Sequence, residues 1–312
     1  MSFLILIIGF FFLIKGADIF VEGAASIARK FNVPAMIIGL TIVAMGTSAP
    51  EASVSITSSL AGQNDMSVAN VVGSNFFNIL MVLGVSSIIA TLPVQNSTIK
   101  KDTPFLLIVS ALLLLFGIDL KISRLEGLIL LILFVYFIIS TIRTAKKSGS
   151  QETEAAIDVE GDENTPIFKT ILLSVIGVIG IVIGGDMVVN SATEIATTFG
   201  MSANLVGLTI VAVGTSLPEF VTSVVAIKKG ETEIAIGNVI GSNIFNILFI
   251  LGLATTISPI TISIFAFIDI IFMIVITLLL YLFMKKNNNL NKTQGYLFII
   301  LYIAYMSYTI IR

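Results

Sequence analysis

Displaced by 168 residues, the sequence matches itself without a gap. Gly39-Leu-Thr-Ile-Val-Ala-Met-Gly-Thr-Ser-Ala-Pro-Glu51 falls on Gly207-Leu-Thr-Ile-Val-Ala-Val-Gly-Thr-Ser-Leu-Pro-Glu219, with 11 of 13 positions identical. Asn70-Val-Val-Gly-Ser-Asn-Phe-Phe-Asn-Ile-Leu-Met-Val-Leu-Gly84 falls on Asn238-Val-Ile-Gly-Ser-Asn-Ile-Phe-Asn-Ile-Leu-Phe-Ile-Leu-Gly252, with 11 of 15 identical. Asp18 meets Asp186 and Phe31 meets Phe199. A chain built this way folds as two related halves. The best-matched residues are polar, which simple packing of apolar helices in lipid does not require.

The setting of those residues follows from composition. Of 312 residues, 56% are hydrophobic and only 12% are Asp, Glu, Lys or Arg. Soluble domains carry about twice that share of charge. A bilayer absorbs such apolar excess, at about 20 residues per crossing helix. Pro, Gly and charge divide the chain into about ten spans, near 3–28, 34–60, 67–91, 103–118, 124–143, 167–197, 203–227, 233–256, 262–283 and 294–311. The first apolar run, Phe3 to Ile14, has no basic stretch before it and no small-residue cleavage site after it. It reads as a membrane helix, not a signal peptide.

The expected fold is an all-α polytopic membrane protein with two repeats, 1–143 and 167–312, joined by a polar linker at 144–166. Five helices per half is an odd number, so the second half enters from the opposite side. Such inverted repeats are common in secondary transporters, with ion sites near the midplane in helices broken by Gly or Pro. Here the broken pairs are expected to be helices 2/3 and 7/8. Thirteen Lys and Arg fall in loops of one side and three on the other. Positive charge collects in the cytoplasm, which puts both termini outside and 144–166 inside, across the plasma membrane.

The chain has no Cys and no His. Disulfides, thiolate chemistry, imidazole relays and soft-metal sites are thereby excluded, and a metal site must be built from oxygen. A net charge of −2 argues against nucleic acid as a partner, and no obligatory protein partner or prosthetic group is indicated. Ala44, Thr47, Ser48 and Glu51 share one helical face, as do Asn70, Ser74 and Asn78. Ala212, Thr215, Ser216 and Glu219, then Asn238, Ser242 and Asn246, repeat both faces. A charged side chain at bilayer depth costs about 2.5–3.5 kcal/mol on insertion scales. No Lys or Arg lies in either motif, so a bound cation is the expected partner. Pro50 and Pro218 open the helix ladder, and carbonyls near Ala44 and Ala212 are expected to be released toward the ion.

Two carboxylates cancel one Ca2+ or two Na+. A filled site passes a hydrophobic barrier; an empty one with two bare charges does not, and that couples the fluxes. Protons compete for the same groups. Asp18 and Asp186 are expected to bond neighbouring helices, and Glu22, Glu194 and Asp269 to lie near the membrane interface. A passive channel, or an aspartyl protease using Asp18 and Asp186, leaves the doubled Thr-Ser-x-Pro-Glu unexplained.

Gly46-Thr-Ser-Ala-Pro-Glu51 and Gly73-Ser-Asn-Phe-Phe-Asn78, with their second copies, resemble the two alpha-repeats of the Na+/Ca2+ exchanger family, within the Ca2+/cation antiporter superfamily. The likeness is greatest to the small prokaryotic exchangers and extends over essentially the whole chain. It implies an antiporter, not an enzyme. It also implies that Glu51 and Glu219 are the central carboxylates shared by Ca2+ and Na+. Thr47, Ser48, Thr215 and Ser216 would add oxygens, and Ala44 and Ala212 carbonyls. Ser74, Asn78, Ser242 and Asn246 would complete the ion sites. The long first and sixth helices would slide as a gate. Some relatives carry Asp where this chain has Asn246; in the K+-dependent branch that Asp is linked to K+ co-transport, although some K+-independent prokaryotic exchangers carry it too, so Asn246 argues against K+ without settling it. The Ca2+/H+ branch shows Gly-Asn-x-x-Glu instead, so Ca2+/H+ antiport on the same scaffold is the alternative.

Overall fold

The computed structural model describes residues 1–62, 64–148, 166–201, 210 and 212–311. Most of the 144–166 linker and the start of the 203–227 span lie outside the described residues. The first half comprises α1 (Ser2–Lys30), α2 (Ala35–Thr47), α3 (Ala49–Leu60), α4 (Met66–Ile89), α5 (Thr103–Phe116) and α6 (Arg124–Ser148). The second comprises α7 (Ile167–Thr198), α8 (Ala212–Gly214), α9 (Leu217–Lys228), α10 (Thr232–Ile257), α11 (Ile264–Asn287) and α12 (Lys292–Ile311). Among the described residues seven helices are long and apolar enough to cross a membrane, and an eighth span arises if the α2–α3 pair, bent by 49°, counts as one.

Burial sorts these helices. In their most apolar stretches α10 is 94% buried and α4 72%, whereas α1, α6, α7, α11 and α12 are each at most 33% buried. Two polar-bearing helices thus form the centre, and apolar outer helices such as α7 and α12 face outward with Phe168, Ile176 and Ile300. Burying α4 and α10 between other helices, away from lipid, is what allows them to carry Asn and Ser at all.

The contacts repeat under the same displacement as the sequence. One short ribbon pairs Leu92 with Leu290 and Pro93 with Asn289; a second pairs Lys121 with Thr261 and Ile122 with Ile260. Adding 168 to 92 and 122 gives 260 and 290, so each ribbon is the exchanged copy of the other. The α1–α7 seam obeys the same rule. A Cβ placed on Gly16 would lie 2.7 Å from the Ile181 nitrogen, and one on Gly177 2.8 Å from the Phe20 nitrogen. Gly9 and Gly184 make the corresponding approach. Small residues at these four positions let two long helices run backbone to backbone.

One end of the molecule is tied by charge. Lys229 in the α9–α10 turn lies 2.9 Å from Asp18 and 3.2 Å from Glu22 of α1, and Arg29 lies 3.2 Å from Glu231. Asp18 therefore bonds another element, as expected, while Asp186 and Glu194 are exposed on α7. Asp269, expected near the interface, lies in the second turn of α11 and is 7% exposed.

Beside α5 a cavity of about 370 Å³ is lined by Gln95, Lys101, Asp102, Phe105, Tyr136 and Phe137, among others. Asp102 precedes the 103–118 span, and burial pushes its carboxyl up to about 6, against the pull of Lys101. In the unfolded chain it titrates near 4. Ionisation therefore costs the fold stability: nothing below about pH 4, increasingly between about 4 and 6, and fully above. Asp102→Asn should raise stability at pH 8 by about 3 kcal/mol and leave it unchanged at pH 4. Thermal unfolding of the purified protein at the two pH values checks this.

Candidate cation site

The two Pro-containing motifs break their helices at matching residues. In the first half α2 ends at Thr47, Ser48 leaves the helical region at φ −82° and ψ 12°, and α3 begins at Ala49. In the second, Ser216 at φ −92° and ψ 6° precedes α9. Pro50 and Pro218 sit in the first turns of α3 and α9, where a missing N–H costs nothing. Glu51 and Glu219 occupy those same first turns, and both are 0% exposed. A helix N-terminus favours negative charge, so each carboxylate has partial compensation from its own helix.

The remaining compensation crosses between the halves. The Ser48 hydroxyl donates to Glu219 Oε1 at 2.7 Å, and the Ser216 hydroxyl to Glu51 Oε1 at 2.9 Å. Each half's serine thus holds the other half's carboxylate. Ser74 Oγ lies 3.3 Å from Glu51 Oε1 and 3.0 Å from Ser216 Oγ. The Thr47 hydroxyl donates to Asn238 Oδ1 at 2.9 Å. Asn70 and Asn238 brace the starts of α3 and α9, donating to Ser55 Oγ and Ser223 Oγ at 2.9 and 3.0 Å.

Among the described residues, the buried acceptor oxygens with no donor include Glu51 Oε2, Glu219 Oε2, Asn78 Oδ1 and Asn246 Oδ1. They form two pairs related by the 168-residue displacement. Oxygens buried without a hydrogen-bond donor are costly, and oxygen is the ligand type that hard cations take.

Of the residues expected from sequence, Thr47, Ser48, Glu51, Ser74, Asn78, Thr215, Ser216, Glu219, Ser242 and Asn246 are all buried. The Thr215 hydroxyl has no partner among the described residues. Ala212 begins α8, with its side chain outside the described residues. Ala44 differs from expectation. Its carbonyl accepts from the Ser48 N–H at 3.0 Å and from the Ser242 hydroxyl at 3.4 Å. Pro50 removes only the N–H that would reach Gly46, so the break falls at Ser48 and Ala44 keeps its helix bond. In the second half the Ser216 N–H turns to Val213 at 3.2 Å.

Sequence reasoning passed over Asn75 and Asn243, which are fully buried at the contact of α4 and α10. Their identity under the displacement was the available signal. It also passed over the π-helical turns beginning at Asn78 and Asn246, a feature frequent at functional sites.

Two buried carboxylates, each held by a hydroxyl from the other half, thus sit at the breaks of two helices in a chain rich in helices apolar enough to cross a membrane. The model of the family described as "Sodium/calcium exchanger protein" matches residues 1–143 and 169–311. The chain is 37% identical to inner membrane protein YrbG of Escherichia coli K12, covering 82% of this chain and 79% of that protein. It is 31% identical to sodium/calcium exchanger MaX1 of Methanosarcina acetivorans, covering 98% and 97%. The solved sodium-calcium exchanger NCX_Mj, soaked with 2.5 mM Na+ and 0.1 mM Ca2+, superposes with a TM-score of 0.86 at 32% identity, covering 98% of this chain and 97% of that one. The chain belongs to the sodium/calcium exchanger family, whose members are membrane antiporters with Na+ and Ca2+ as substrates.

Proposed function

We propose that this protein exchanges Na+ for Ca2+ across the plasma membrane by alternating access. It would do so with ten spans in two inverted five-helix halves, both termini outside and 144–166 in the cytoplasm. The observation that carries this reading is the reciprocal pair Ser48–Glu219 and Ser216–Glu51, with one oxygen of each carboxylate left for a cation. Na+ as the coupling ion is supported by the names of MaX1 and NCX_Mj. The sidedness is supported by the ion pairs and ribbons. Arg29–Glu231 joins two segments that the charge count gives to the same side, as does Leu92–Leu290; Ile122–Ile260 joins two on the other.

In this reading Glu51 and Glu219 hold Ca2+ or Na+ between the halves. Ser48, Ser216 and Ser74 hold one oxygen of each carboxylate fixed. Thr47, Thr215, Ser242, Asn78, Asn246 and the carbonyl of Ala212 complete the shells. α1 and α7, joined along their glycine seam, slide as a gate past the other eight spans. The loaded site is neutral and crosses; the empty site carries two charges and stays.

Ca2+ uptake into proteoliposomes preloaded with Na+, K+ or neither, at matched pH, tests the coupling. Uptake that requires internal Na+ supports the proposal. Uptake indifferent to Na+ that follows a pH gradient replaces it with Ca2+/H+ antiport. Protonating the carboxylates neutralises the site without an ion, so Na+-driven Ca2+ flux should fall several-fold between pH 8 and pH 5.5. An unchanged flux over that range contradicts shared carboxylate occupancy.

A further inference from the structure

We propose that Asn75 and Asn243 are positioning residues of the cation site. Each fixes the direction of the amide of the opposite half's site residue, Asn75 that of Asn246 and Asn243 that of Asn78. The inference rests on the cation-exchange reading of that site.

An amide has one end that donates and one that accepts, and its partners decide which way it faces. A backbone carbonyl only accepts. The Asn75 Nδ2 lies 3.3 Å from the Asn243 carbonyl, and the Asn243 Nδ2 lies 3.3 Å from the Asn75 carbonyl. These two bonds cross between α4 and α10 and turn each NH2 toward the other backbone. Each Oδ1 is then obliged to face away and accept. It does: Asn246 Nδ2 donates to Asn75 Oδ1 at 3.0 Å, and Asn78 Nδ2 to Asn243 Oδ1 at 3.0 Å.

The chain of direction continues one step further. With their NH2 groups committed, Asn78 and Asn246 have their Oδ1 atoms free of donors among the described residues, as are Oε2 of Glu51 and Glu219. Asn246 Nδ2 also donates to Ser74 Oγ at 3.1 Å, and Ser74 touches Glu51. Two backbone carbonyls thereby determine that oxygen, and not NH2, is offered to a cation. Without Asn75 the Asn246 amide can turn over and present its donor end to a positive ion. All four asparagines are 0% exposed.

The pairing crosses the halves, and that makes it testable. Ca2+ binding to the purified full chain is measured by titration calorimetry, with Na+-driven uptake in proteoliposomes alongside. Asn75→Ala and Asn243→Ala should each weaken Ca2+ binding about tenfold, the scale of one well-placed hydrogen bond. Maximal uptake at saturating Ca2+ should fall less than affinity. Asn75→Ala should add nothing to Asn246→Ala but its full effect to Asn78→Ala; Asn243→Ala should show the mirror pattern. Where alanine at 75 prevents folding, Asn75→Ser, which leaves a hydroxyl in place, takes its position in the same cycle. Unchanged Ca2+ affinity, effects additive with Asn246, or coupling to Asn78 instead overturns the proposal. Glu51→Gln separates the two readings. If it binds Ca2+ like the unaltered protein, the cation site itself is wrong. If it loses Ca2+ while Asn75→Ala does not, only the positioning role is wrong.

Discussion

Glu51→Gln should lower Na+-driven Ca2+ uptake by at least about 100-fold, while the ion-free protein stays as stable as before or becomes more so. The substitution keeps the shape of the side chain and its bond from Ser216, which lies 2.9 Å from Oε1. It removes a charge that is 0% exposed. In the loaded site that charge faces a cation, and removing one partner of a buried charge pair costs about 3–5 kcal/mol. In the ion-free site the same charge has only hydroxyls and a helix N-terminus to offset burial, so its loss relieves the fold. Glu219→Gln should behave alike, because Ser48 holds it the same way at 2.7 Å. Uptake assays together with thermal unfolding without ions and with saturating Ca2+ check both parts. The Ca2+-induced rise in unfolding temperature, a consequence of binding only to the folded state, should disappear. A variant that loses uptake through a lower ion-free stability contradicts the account.

The second large effect concerns the seam between α1 and α7. Gly177→Val should destabilise the protein by about 1–3 kcal/mol or more, the usual cost of overpacking, and reduce transport further than it reduces Ca2+ binding. The added Cβ would lie 2.8 Å from the Phe20 nitrogen and 2.9 Å from the Gly16 carbonyl oxygen. Both are backbone atoms, so no side-chain rotation relieves the clash and the helices have to separate. Gly185→Ala, in the same helix, is the control. Its Cβ would meet Pro218 at an ordinary 3.5 Å, and alanine is the better helix former. The fraction surviving heating, read by size-exclusion chromatography, and uptake at saturating Ca2+ measure the two variants. Equal behaviour of the two removes the seam from the mechanism.

Much of this was legible in the sequence because the halves are copies. The displacement of 168 brought out Thr47, Ser48 and Glu51 with their counterparts, and the structure joins them across the halves. Gly9, Gly16, Gly177 and Gly184 also coincide under it. They lie outside the polar motifs, however, and a glycine in an apolar run carries no mark of which neighbour it admits. The Ala44 carbonyl was misjudged because a proline's missing N–H is local knowledge, whereas the site of the break depends on how Ser48 closes the turn. The roles of Asn75 and Asn243 rest on hydrogen-bond direction across two helices. Spacing along one helix does not encode that.

The claim beneath all of this is that Glu51 and Glu219 hold the same ion. Calorimetric Ca2+ titration of the purified protein, of Glu51→Gln, of Glu219→Gln and of the double variant tests it directly. The account predicts that each single substitution costs Ca2+ binding nearly as much as both together. Two single variants that each keep half the bound Ca2+ at unaltered affinity would show separate sites and contradict it.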